Sequence, residues 1–145
     1  WDEARDQARR AGVLEEDPSW DLDGWDAAAK LAILSNAVLG FETSLESITP
    51  TGIRSIDVDW VRHQREKGLR VRLLGSAHRQ SDGTYDLRVA PTSLPADHPL
   101  GRLGAKQMGV VYTTDIFGTI TAIIDEPTPL PSAATMLRDL LDIYA

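Results

Sequence analysis

The sequence predicts an α+β fold, with helices packed on one face of a mainly antiparallel sheet. Three observations predict it. Apolar residues in the first forty positions recur at helical spacing. Two turn signals, Ser81-Asp82-Gly83-Thr84 and Phe117-Gly118, each separate runs that alternate apolar and polar residues, as hairpin strands do. Helical and hairpin segments are segregated along the chain, where a parallel sheet would have them alternate.

The elements follow in order. Residues 2–11 form a helix with Ala4, Ala8 and Ala11 on one stripe and Gly12 as its stop. Residues 13–24 are an acidic loop. A second helix spans 24–39 and stops at Gly40, with Asp23 as its N-cap and Asp26 at its third position. It is apolar nearly all round, through Trp25, Ala27, Ala28, Leu31, Ala32, Ile33, Leu34, Ala37 and Val38, so it belongs in the interior. Residues 48–56 are a turn-rich connection containing Pro50 and Gly52, and 57–67 an amphipathic helix ended by Gly68. A strand over 69–79 pairs with 85–90, residues 91–104 are loop, and strands over 107–115 and 119–124 make the second hairpin. Pro131 opens a closing helix, a position that suits proline. The strands around 69–74 and 110–114 carry apolar residues on both faces. One helical layer would not cover them, so a homodimer is expected.

Composition removes several functions. The 145 residues make one ordinary domain, 42% hydrophobic and 26% charged. A net charge of -7 with scattered basic residues argues against nucleic acid. With no cysteine there is no disulfide, zinc-thiolate or catalytic-thiol chemistry. His63, His78 and His98 are not at zinc-ligand spacing, so no metal site is expected. No apolar run approaches the roughly 20 residues that span a bilayer, and no signal peptide is seen, which makes the cytoplasm the expected location. The chain opens inside a helical pattern, as a truncated domain would.

Residues 15–30 carry the chemistry. Glu15, Glu16, Asp17, Asp21, Asp23, Asp26 and Lys30 place six carboxylates and one lysine within sixteen residues. Asp26 and Lys30 are four apart and share a helix face, whose stripe continues through the apolar Ile33, Leu34 and Ala37. Lys30 is thus expected as a cation on a buried helix. Burial disfavours an ammonium and nearby carboxylates favour it; a lysine between those influences can exchange a proton with a substrate oxygen. Taken singly, each residue has a plainer reading: Asp26 as part of a helix cap, Lys30 reaching to the surface, Glu15 and Asp21 as solvated loop residues.

The string Glu15-x-Asp17-Pro18-x-x-Asp21-x-x-Gly24-x-Asp26-Ala27-x-x-Lys30-Leu31-x-Ile33-Leu34, preceded by Gln7-Ala8 and Gly12, resembles the signature of homoserine dehydrogenases without a gap. Weaker likeness follows at Thr51-Gly52-Ile53 with Ile56, at the strand over 69–74, at His98-Pro99-Leu100, and at Pro131-Ser132-Ala133-Ala134. The resemblance implies that residues 1–145 are a catalytic and dimerisation domain, truncated at its N-terminus. It implies NAD- or NADP-dependent interconversion of aspartate semialdehyde and homoserine, in threonine and methionine biosynthesis. By position, Lys30 would exchange the proton, Glu15 would bind the substrate amino group, and Asp21 and Asp26 would complete the pocket and hold Lys30. The hydride would come from a nicotinamide on another domain.

Two departures stand out. The chain has no G-x-G-x-x-G turn, so cofactor-binding residues are not found beyond the loop around Thr128. That loop, Glu126-Pro127-Thr128, replaces a Gly-Ala-Gly segment usual in the family, and Gln107 replaces an asparagine. Proline and an acid hinder the close backbone approach that glycine permits. A non-catalytic module of the same fold, binding a small molecule or mediating dimerisation, is therefore the alternative. Hydrolysis by a carboxylate pair finds neither a nucleophile nor an aromatic platform in the sequence.

Overall fold

A computed structural model describes residues 2–10, 16–126, 128 and 130–144. The elements are α1 (Asp2–Arg10), α2 (Ser19–Leu22), α3 (Trp25–Ala37), a 3-10 turn (Leu45–Ser47), α4 (Val58–Glu66), β1 (Leu69–Arg79), β2 (Tyr85–Pro95), β3 (Gln107–Thr113), β4 (Thr119–Asp125) and α5 (Leu130–Tyr144). This is the expected α+β architecture of helices packed on antiparallel strands. The chain forms two compact units, Trp1–Pro95 and Ala96–Ala145.

In the first unit, β1 and β2 pair antiparallel from Leu69 opposite Pro95 to Arg79 opposite Tyr85. Side chains alternate across a strand, so Val71, Leu73, Gly75 and Ala77 share a face with Leu87, Val89 and Ser93. The helices pack there. Ala28, Leu31 and Ala32 of α3 form the core with Ile48 and Val89, flanked by Trp25, Ala27, Leu45, Leu73, Ala77 and Leu87. Ile48 and Val89 are each 1% exposed, and burying such a side chain contributes about 1.5–3 kcal/mol. On the same face, the Ser93 hydroxyl donates to Gln64 Oε1 of α4 at 3.2 Å. The opposite face carries Arg70, Arg72, Ser76, His78, Asp86 and Arg88 beside Leu74, Ala90 and Leu94. It is mixed, not apolar as expected.

In the second unit, β3 and β4 pair antiparallel from Gln107 opposite Asp125 to Thr113 opposite Thr119. Met108, Val110, Tyr112, Ile120, Ala122 and Ile124 share one face, and Met108, Ile120 and Ile124 are exposed. Helix α5 buries none of its residues. Among the described residues, no helix is long and apolar enough to cross a membrane.

Four local expectations are corrected. The acidic loop contains α2, because Asp17 Oδ1 accepts from the Ser19 N–H at 3.0 Å and its hydroxyl at 2.6 Å, stabilising the first turn. The N-cap of α3 is Gly24, at φ 86°, and not Asp23. Strand β2 runs on through Pro91 to Pro95, because it has a neighbour on one side only and an edge strand tolerates a missing N–H. Finally, α3 buries Ala28, Leu31, Ala32 and Ser35 but not its whole surface; Ile33 is 65% exposed, and Val38, its C-cap, 55%. It still holds more buried residues than any other described helix.

Candidate functional site

The site is built around the joint between α2 and α3. Helix α2 carries Asp21 on its exposed side and buries Leu22. It ends in a tight turn, with the Asp23 N–H donating to Ser19 O at 2.9 Å and the Gly24 N–H to Asp21 O at 3.1 Å. Gly24 then opens α3 in the left-handed conformation that glycine adopts at no steric cost. Two residues therefore separate the helix bearing Asp21 from the helix bearing Asp26 and Lys30.

Asp26 lies in the first turn of α3, where the helix dipole favours a carboxylate. Lys30 Nζ donates to Asp26 Oδ2 at 2.7 Å. The structure corrects the expected surroundings of Lys30. Its side chain is 54% exposed and that of Asp26 43%. The buried stripe of α3 is the one with Ala28, Leu31 and Ser35, and the Asp26–Lys30 stripe faces away from it towards solvent, together with Ile33. The pair is accessible to a small molecule without rearrangement of the helix.

The segment 50–54 grips the joint from the other side. The Ile53 N–H donates to Leu22 O at 2.7 Å, and the Thr51 N–H donates to Val89 O at 2.8 Å, which ties the segment to β2. Gly52 lies against the backbone: a Cβ there would stand 2.1 Å from Leu22 O and 2.5 Å from Asp23 Cα. Arg54 donates from Nε to Asp23 Oδ1 at 2.7 Å and from a terminal nitrogen to Oδ2 at 3.0 Å. That fork holds the Asp23 carboxyl below the usual aspartate range and the Arg54 guanidinium's proton more firmly. Asp17 is lowered as well, chiefly by the Ser19 hydroxyl, then by the Ser19 N–H, with a smaller contribution from Arg54.

The structure thus places Asp21 on α2 and the paired Asp26 and Lys30 on α3, two consecutive helices. Glu15 lies outside the described residues. Sequence reasoning misses Arg54, because its partner Asp23 reads as a helix cap. It also misses an aromatic pair, Trp20 and Trp25, with ring centroids 6.3 Å apart beside the same joint.

The loop departures lie in the second unit. Gln107 donates from Nε2 to Asp125 Oδ1 and accepts from the Gly104 N–H, both at 2.9 Å. The Ser132 hydroxyl donates to Glu126, and the Glu126 N–H donates to Lys106 O at 2.8 Å. Thr128 is exposed, and Pro127 lies outside the described residues. Two carboxylates are held in place here, and no backbone cradle of the glycine-rich kind is present in the sequence. These residues do not fit the phosphates of a dinucleotide. Among the described residues, no group of three or more acids and histidines could hold a metal ion.

Comparison with known proteins gives a consistent result. The homoserine dehydrogenase family model matches residues 1–141. The NAD(+)-dependent homoserine dehydrogenase of Pseudomonas canavaninivorans is 30% identical over 98% of this chain and 40% of its own length. The homoserine dehydrogenase of Synechocystis is 33% identical over 99% of this chain and 34% of its own. Among solved structures, the homoserine dehydrogenase of Thiobacillus denitrificans has a TM-score of 0.84 at 32% identity, over 98% of this chain and 33% of that one. The S. aureus enzyme has a TM-score of 0.87 at 24% identity, over 99% of this chain and 36% of that one, a likeness of fold. The chain spans between a third and two-fifths of the length of these relatives.

Proposed function

Because the chain belongs to the homoserine dehydrogenase family, we propose that it is the substrate-binding and catalytic part of an NAD(P)-dependent homoserine dehydrogenase. The reaction would interconvert aspartate semialdehyde and homoserine, a step of threonine and methionine biosynthesis. One observation carries the reading: Lys30 and Asp26 form a 2.7 Å pair on the exposed face of α3, two residues beyond the helix that carries Asp21.

Reducing an aldehyde requires a hydride at carbon and a proton at oxygen. A nicotinamide, when bound, would supply the hydride; the residues around Glu126 and Thr128 do not fit its phosphates, and the part of this chain's residues is confined to the substrate and the proton. The Lys30 ammonium gives its proton to the aldehyde oxygen and takes it back from the homoserine hydroxyl in reverse. Asp26 anchors the ammonium from one turn earlier, which fixes where the proton is presented. Glu15 provides negative charge for the substrate's amino group, and Asp21 completes the pocket with Asp26 and helps hold Lys30. A homodimer fits the same reading, and the apolar face of the β3–β4 hairpin supports it.

The test is turnover of homoserine by the full-length protein with NAD and with NADP. Lys30→Ala should lower kcat by about 100-fold or more, the usual size for a lost general acid. Lys30→Arg should not restore it, because a guanidinium does not release its proton readily. Glu15→Gln should chiefly raise KM. A wild type inactive with both cofactors would favour the second reading, a non-catalytic small-molecule-binding or dimerisation module, which the Glu126-Pro127-Thr128 departure supports. An active wild type with a near-normal Lys30→Ala variant would leave the family activity standing and remove Lys30 from its role.

A further inference from the structure

The joint at Asp23-Gly24 sets the direction in which α2 leaves α3, and so where Asp21 stands relative to the Asp26–Lys30 pair. Besides the turn's own backbone bonds, residues 52–54 hold it by three contacts: the Gly52 backbone packed against Leu22 and Asp23, the Ile53–Leu22 hydrogen bond, and the Arg54 fork on Asp23. The first two act on the backbone. Arg54 reaches the joint with its side chain, from thirty-one positions away in sequence. We propose that Arg54 is a positioning residue, whose two-bond grip on Asp23 fixes Asp21 against the Asp26–Lys30 pair for proton transfer. The inference rests on the dehydrogenase reading for its chemistry.

The geometry requires a planar fork. Nε and a terminal nitrogen each meet a different carboxylate oxygen, which fixes the orientation of Asp23 as well as its distance. A lysine would bring the charge but only a point contact. The pair is half exposed, at 51% and 39%, and exposed pairs add little to global stability. A loss of alignment in the site is a different matter, since small misplacements of catalytic groups cost up to about 100-fold in rate. The consequence of breaking the fork should therefore appear in catalysis and local protection, with little change in melting temperature.

The experiment compares Arg54→Gln, Arg54→Lys, Asp23→Asn and the double variant Arg54→Gln/Asp23→Asn in the full-length protein. It measures kcat and KM for homoserine, melting temperature, and hydrogen exchange of the amides from 21 to 26. Arg54→Gln should lower kcat by about tenfold, leave the melting temperature nearly unchanged, and speed exchange at those amides. Asp23→Asn should match it, and the double variant should be no worse than either single one, because both act through one contact. Arg54→Lys should recover only part of the loss. The proposal is overturned if kcat stays within twofold while exchange at the joint is unchanged, if the double variant's losses multiply, or if Arg54→Lys restores full activity, which would make charge alone sufficient. A wild type without homoserine activity would remove the dehydrogenase reading, and the exchange data would still decide whether Arg54 holds the joint.

Discussion

Adding one methyl group at Gly52 should do more damage than its size implies. A Cβ at this position would stand 2.1 Å from Leu22 O, 2.5 Å from Asp23 Cα and 2.6 Å from Asp23 C. Those are backbone atoms, with no rotamer to yield. Ordinary contacts between carbons lie at about 3.5 Å or more, so the two backbone segments must part by about 1 Å. That movement strains the 2.7 Å hydrogen bond from Ile53 to Leu22. Overpacking of this kind costs about 1–3 kcal/mol and a lost hydrogen bond about 1 more, so Gly52→Ala should cost about 2–4 kcal/mol. The melting temperature should fall by roughly 10 °C. Denaturant unfolding followed by tryptophan fluorescence suits the question, because the Trp20–Trp25 pair stands beside the joint. Gly40→Ala is the control: Gly40 has positive φ but nothing within 4 Å of the added atom, so it pays only the conformational cost of about 1–2 kcal/mol. A Gly52→Ala variant within about 0.5 kcal/mol of wild type, the usual scatter for a harmless change, would refute the close-approach argument.

Two further outcomes are expected. The apolar face formed by Met108, Val110, Tyr112, Ile120, Ala122 and Ile124 should drive self-association; light scattering at micromolar concentration should give a dimer mass for the wild type and a monomer for Ile120→Lys, and a monomeric wild type would count against it. Acid should weaken the first unit through Asp17, Asp23 and Asp82, whose carboxyls are all lowered in the fold, the last mainly by the Thr84 hydroxyl. A lowered folded pKa stabilises above the unfolded value, near pH 4, and that stability is lost as pH falls through the folded value. Asp82→Asn should therefore be less stable than wild type at pH 6 and converge with it at pH 2, whereas a pH-independent gap would contradict the assignment.

Most of the fold was legible because its signals are local. The bounds of β1 were read correctly to the residue, since Gly68 precedes it and a hairpin turn follows. Helix α4 was found within a residue at each end, with Asp57 capping it through the Asp59 N–H at 2.9 Å. The errors came where a residue had two possible partners. Asp23 has the chemistry of an N-cap, but Arg54 competes for its carboxylate from a distant part of the chain, and Gly24 then takes the cap with its backbone. Pro91 reads as a strand breaker unless the strand is known to lie at an edge. Local pattern contains neither fact.

The pairing of Asp26 with Lys30 was legible, and its surroundings were not. Spacing alone puts Asp26 and Lys30 on one face, and the 2.7 Å bond agrees. The mistake was to equate an apolar helix with a buried one. Helix α3 needs only one stripe, Ala28, Leu31, Ala32 and Ser35, to meet the sheet. Alanine is spread all round it, so composition does not mark which side is packed. The face left outside carries the ion pair and Ile33, 65% exposed. An ion pair in contact with water is weak, and it strengthens as water is removed. In the proposed reaction, proton transfer by Lys30 therefore depends on what covers this face when substrate binds. The packing within residues 16–95 fixes the direction of the lysine, while its desolvation has to come from the substrate or from another surface closing over Ile33.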